Sequence, residues 1–198
     1  MKSLLAALLI LALSAPAALA DDCVGRVADI LKGSAGREKT MAVITTEMKG
    51  QKPTVNEFHY ARWDHYMVRM IEPAGQPLTL THDGAMYQSA DEGKSWTKVH
   101  SFDKEETRAL GQKTVEEQAG SIRNAICGNE ELDGKTYDTL EADMTNVSGM
   151  KFQIHSKYWV AADGFVVKAT TLMKADNFES FTTQEWQPAP DMELPLPN

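Results

Sequence analysis

The spacing of hydrophobic positions changes several times along the chain, and each change marks an element. Over 22–33, Cys23, Val24, Val27, Ile30 and Leu31 recur at helical intervals and stop at Gly33, which predicts a short amphipathic helix. From Thr40 the period drops to two. Segments 41–48, 55–60 and 66–71 are rich in β-branched and aromatic residues, with Gly50, Pro53, Pro73 and Gly75 between them, and predict an antiparallel meander. Asp83-Gly84 is a hairpin signal, and 91–96 is a second tight turn, with two more strands around them. Over 102–126 the helical period returns, with Phe102, Leu110, Val115, Ile122 and Ile126 among charged residues and with Asp103, Glu105 and Glu106 near the start. This predicts the main helical stretch, with Gly111 and Gly120 as the places where it would break. Strand patterns resume over 136–145, 149–161, 165–173 and 178–186.

The predicted class is therefore α+β, mostly β. The alternation also sorts residues onto faces. Phe58 and Tyr60, Tyr66, Val68 and Met70, and Met150, Phe152, Ile154, Tyr158 and Val160 lie on one side of their strands. Glu57 and His59, and Lys151, Gln153, His155 and Lys157, take the other. One face is thus covered and the other wet. Phe58, Tyr60, Tyr66, Val68, Met70, Phe152, Ile154 and Tyr158 are the residues expected to line a core or a ligand cavity. A packed core and an apolar pocket share this pattern, so the sequence leaves both readings open.

The first twenty residues read as a targeting segment and are not expected to belong to the domain. Lys2 precedes an apolar run from Leu4 to Leu13, Pro16 interrupts the alanine-rich stretch after it, and Ala18-Leu19-Ala20 offers small residues before a cut. This is the order of a secretory leader, with cleavage expected after Ala20. Cys23 stands behind Asp21 and Asp22 and not at the cut, so no lipid anchor is expected there. No other stretch approaches the roughly 20 apolar residues of a membrane helix. The expectation is a soluble periplasmic monomer that does not span the membrane. Residues 21–187 would form a single domain, followed by a proline-rich extended tail, 188–198, that packs poorly.

Export changes the reading of the cysteines. Cys23 and Cys127 are the two in the chain, and in an oxidising compartment they are expected to pair. A loop of this size stabilises by about 4–5 kcal/mol in the chain-entropy model. The formal net charge of −8 argues against nucleic acid and anionic membrane surfaces as partners, since both require basic patches.

Candidate chemistry is sparse. Ser89-Ala-Asp91-Glu-Gly93-Lys-Ser95-Trp96 matches the Asp-box turn of sialidase-like propellers, where these residues hold a turn together. One copy builds no propeller, so a lone stabilised hairpin is expected. His59 and His65, with Glu57 and Asp64, match no compact metal-ligand spacing and read as a solvated polar face. The ten methionines, with Met67 and Met70 the closest pair considered, suit core filling or an adaptable apolar cavity better than a soft metal. No nucleophile elbow, zincin helix, phosphate loop or dinucleotide fingerprint occurs. No catalytic residue, metal or cofactor is assigned, and an enzyme is not expected.

The element order, with a strand pair reading Tyr158-Trp-Val-Ala-Ala-Asp-Gly164-Phe-Val-Val-Lys-Ala169, resembles the LolA-like superfamily of periplasmic lipoprotein carriers and lipid-binding proteins. Asp83-Gly84-Ala-Met-Tyr87 followed by Trp96-Thr-Lys is similar to a hairpin of that family in position. The sequence departs from it at Phe165-Val166, where members often carry a proline after the turn glycine. The resemblance implies an incomplete antiparallel β-barrel whose concave side is covered by helices, and a cavity for a lipid, an acyl chain or an acylated protein. The alternative is an interaction or structural domain of the envelope with a filled core and no ligand.

Overall fold

The structure, a computed structural model, describes residues 17–34, 38–146 and 151–197. Most of the expected leader therefore lies outside the described residues, as do Met150 and the first part of the strand expected from 149. The elements run α1 (Ala17–Ser34), β1 (Thr40–Met48), β2 (Thr54–Arg62), β3 (His65–Glu72), β4 (Leu78–His82), β5 (Ala85–Ser89) and β6 (Thr97–Ser101). There follow α2 (Lys104–Gly120), β7 (Arg123–Leu132), β8 (Lys135–Asn146), β9 (Phe152–Val160), β10 (Val166–Ala175) and β11 (Phe178–Pro188).

All eleven strands join one antiparallel sheet in the order β6-β5-β4-β3-β2-β1-β11-β10-β9-β8-β7. Its edges, β6 and β7, are consecutive strands joined through α2. A flat sheet would hold those edges about 48 Å apart. The helix spans only about 26 Å, and two residues link it at either end. The sheet is therefore curled into an open half-barrel, and both helices lie on its concave side.

Two separate cores form. On the concave face Val27 of α1, with no exposed surface, packs on Leu140, Ala142, Tyr158, Val160, Val166 and Ala169, and Ile30, Leu31 and Ile122 border this cluster. On the convex face Leu78, Leu80 and Trp96 form a smaller cluster with Met67 and Tyr87. The Asp-box turn supports it. Asp91 accepts bonds from the Ser95 amide at 2.9 Å and from the Ser95 and Ser89 hydroxyls, both at 2.7 Å. Those bonds hold its carboxyl well below the usual carboxylate range. Gly93 has a φ of 87°, and a Cβ there would meet the Trp96 ring at 3.6 Å. The expected lone hairpin, with a structural aspartate, is what forms.

The structure corrects the expected helix over 102–126. Asp103 caps α2 by accepting from the Glu106 amide at 2.9 Å, the helix runs unbroken through Gly111, and it ends at Gly120. Residues 123–132 are the edge strand β7, paired with β8 through a turn at Asp133-Gly134, where φ is 52° and 74°. This is the same turn chemistry as Asp83-Gly84, at 47° and 76°. Cys127 thus lies on a strand and not in a helix. Its disulfide to Cys23, with Cα atoms 5.6 Å apart, ties α1 to that edge.

The tail after β11 is tied down at several points. The Ala189 amide donates to the Lys39 carbonyl at 2.7 Å, Lys39 Nζ donates to the Met192 carbonyl at 2.7 Å, and His65 Nε2 donates to the Pro195 carbonyl at 3.2 Å.

Candidate functional site

Cross-strand partners share a face, so the register defines the inner surface row by row. One row runs Leu140, Tyr158, Ala169, Gln184, Ile44, Asn56, Met70. The next holds Trp186, Ala42, Phe58 and Val68, and beyond it stand Thr40, Tyr60 and Tyr66. All eight residues expected on the covered face therefore point into the concavity, but they fall into three groups.

Ile154 and Tyr158, at 6% and 8% exposure, are buried beside α1. Phe58, Tyr60, Tyr66, Val68 and Met70 are half-buried on β2 and β3, beyond the reach of the helical core. There the aromatic rings form a continuous cluster. Tyr60 stands 5.6 Å from Phe58, 5.5 Å from Tyr66 and 5.7 Å from Trp186, centroid to centroid. Phe152 sits apart at the opposite end of the strands, where its ring meets Phe178 edge-on at 5.5 Å.

Between helices and sheet lies a cavity of about 240 Å³, lined by Ile30 and Leu31 of α1, Gln118 of α2, and Tyr158, Gln184 and Trp186 of the sheet, among others. Trp186 belongs to both this cavity and the aromatic cluster and so connects them. It was not among the residues expected there, although it continues the period-two row Ser180, Thr182, Gln184 of β11.

Charge is kept at the rim. Arg26 of α1 pairs with Asp138 of β8 at 2.6 Å. In the turn between β2 and β3, Asp64 is buried, 2.5 Å from Arg62 and 2.9 Å from Lys104 at the start of α2. Burial pushes the Asp64 carboxyl up, but the bonds from Lys104 and Arg62 outweigh it and hold it below the ordinary value. Lys104 also bonds Asp83 at 2.7 Å, and Arg108 lies over the Trp63 ring at 5.5 Å. These contacts fasten the start of α2 to the turns beside β3 and β4.

The expected polar face divides. Glu57 and His59 form a half-buried pair at 2.7 Å on the convex side. His65 and Asp64 are buried elsewhere, and the His65 ring faces that of His82 at 4.6 Å. Among the described residues no three His, Cys, Asp or Glu side chains gather as a metal site. Larger depressions of about 650 and 410 Å³ lie at the far end of β8–β10, lined by residues such as Lys151, Gln153 and Lys174, apart from the aromatic cluster. Among the described residues no helix is long and apolar enough to cross a membrane.

The fold is an open antiparallel half-barrel with two helices on its inner side. No family model and no curated protein matches the chain. Among solved structures it is similar to a LolA superfamily protein from Nitrosomonas europaea, at 11% identity over 89% of this chain and 95% of that one, with a TM-score of 0.35. It is also similar to a DUF1329 family protein from Desulfovibrio piger, at 11% identity over 88% and 95%, with a TM-score of 0.33.

Proposed function

We propose that this chain is an exported binding or carrier protein, not an enzyme, that holds an apolar ligand such as a lipid or acyl chain in the concavity of its half-barrel. The supporting observation is the half-buried cluster of Phe58, Tyr60, Tyr66 and Trp186, continuous with the cavity beneath the helices. Each aromatic ring carries a large apolar area, and leaving four of them partly uncovered on an inner surface costs stability unless something apolar comes to lie there. The cavity lining is uncharged, which suits a hydrocarbon chain.

The test is native mass spectrometry of the mature protein purified from its own periplasm. Co-purified lipid, lost when Tyr66 is replaced by aspartate, is the expected result. A protein that carries no lipid and binds no apolar fluorescent probe would be an envelope domain with a filled core.

A further inference from the structure

The inner surface has a second regularity, which bears on the head of the ligand and not its chain. Ser156, Thr171, Thr182, Thr46 and Thr54 are successive cross-strand partners on β9, β10, β11, β1 and β2. They make a hydroxyl row five strands wide across the concave face. Ser156 and Thr171 both line the cavity beneath the helices, and their oxygens are 3.2 Å apart. Gln184 lies one row away on the same face, and Gln118 reaches the cavity from α2. The rows on either side are mostly apolar, with Met144, Ile154, Met173 and Met48 around Ser180 on one side, and Tyr158, Ile44 and Met70 with Gln184 and Asn56 on the other.

Across inward positions 42–46, 56–60, 66–70, 140–144, 154–160, 169–173 and 180–186, none is charged. Four cations at the rim are already engaged, Arg26 with Asp138, Arg62 with Asp64, Lys104 with Asp64 and Asp83, and Lys39 with the tail, and Arg108 lies over the Trp63 ring. An ionised carboxylate drawn into the cavity beneath the helices would meet no counter-charge among the residues that line it, and burying an unpaired charge is far costlier than burying an ester or amide that finds a donor. Hydroxyls and primary amides supply such donors.

We propose, resting on the reading of the concavity as an apolar-ligand site, that the ligand is uncharged there: an acyl ester or amide whose carbonyl lies against the hydroxyl row and the two glutamines, and not a free fatty-acid anion. The test is displacement of N-phenylnaphthylamine, an uncharged hydrocarbon probe, by monopalmitoylglycerol and by palmitate at pH 8.5. The ester should bind about tenfold tighter or more. In Thr182→Val, which keeps side-chain shape, and in Gln184→Met, ester affinity should fall about three- to tenfold while probe affinity stays constant. Palmitate binding as well as the ester, or an ester affinity unchanged in both variants, overturns the inference and leaves the apolar site standing. A wild-type protein that binds neither probe nor ester overturns the site itself and the inference with it.

Discussion

At the scale of single residues, the alternation of side chains assigned a face to every residue singled out for the inner surface, but it did not assign burial. Ile154 and Tyr66 sit in equally regular strands. One is buried on the wall of the cavity beneath the helices, and the other is half-open on β3, beyond the helical core. The same charge placed at each should therefore act differently. Tyr66→Asp should keep its circular dichroism and lose binding of an apolar probe. Ile154→Asp should unfold, since an uncompensated buried charge costs several kcal/mol against a total stability of about 5–15 kcal/mol. A folded Ile154→Asp would mean the core is looser than its burial indicates.

His65 supports a second expectation. Burial pushes its imidazole below the ordinary value, the Pro195 carbonyl pulls it up, and the neighbouring His82 and Arg62 push it down again. A histidine whose folded value is lowered favours the uncharged form. Its contribution is complete above the ordinary value near 6.5 and is lost as pH falls below it. Melting temperature should drop between pH 7.5 and 5.5, and less so in His65→Gln, which keeps a donor for Pro195 but does not titrate. Asp64, held below its ordinary value, acts in a separate window, with stability lost only as pH falls below about 3.8.

At the scale of elements, the strands with β-branched and aromatic alternation were legible, and β7 was not. Its sequence, Arg-Asn-Ala-Ile-Cys-Gly-Asn-Glu-Glu-Leu, carries polar residues and a glycine where a strand usually carries branched ones. It is a strand because β8 offers a full ladder and Asp133-Gly134 turns the chain back at the right point, a signal present in the sequence and matching the turn at Asp83-Gly84. The disulfide was legible from two cysteines and an expected export signal, but not what it joins. It fixes α1 to the exposed edge strand, so Cys127→Ser should lower the melting temperature by roughly 8–16 °C. The change should also increase hydrogen exchange in α1 before the central strands. An unchanged melting temperature would place the stability of α1 wholly in the contacts of Val27.

At the scale of the whole molecule, ten strand pairings build the sheet among the described residues, and of these β1 with β11 joins strands that are not neighbours in sequence. The chain is thus two meanders, β1–β6 and β7–β11, each of which can zip up through hairpins, and a single seam between them. Its register runs from Thr40 opposite Pro188 to Met48 opposite Ser180. Local hairpins close cheaply, whereas a contact between distant parts of the chain requires a large loop to be ordered first. The seam therefore carries the largest loop-closure cost of these pairings. The hydroxyl row and the row holding Trp186 both cross it, so neither inner surface exists until the two halves have met. A folding intermediate with either meander alone would have strands and neither of these surfaces.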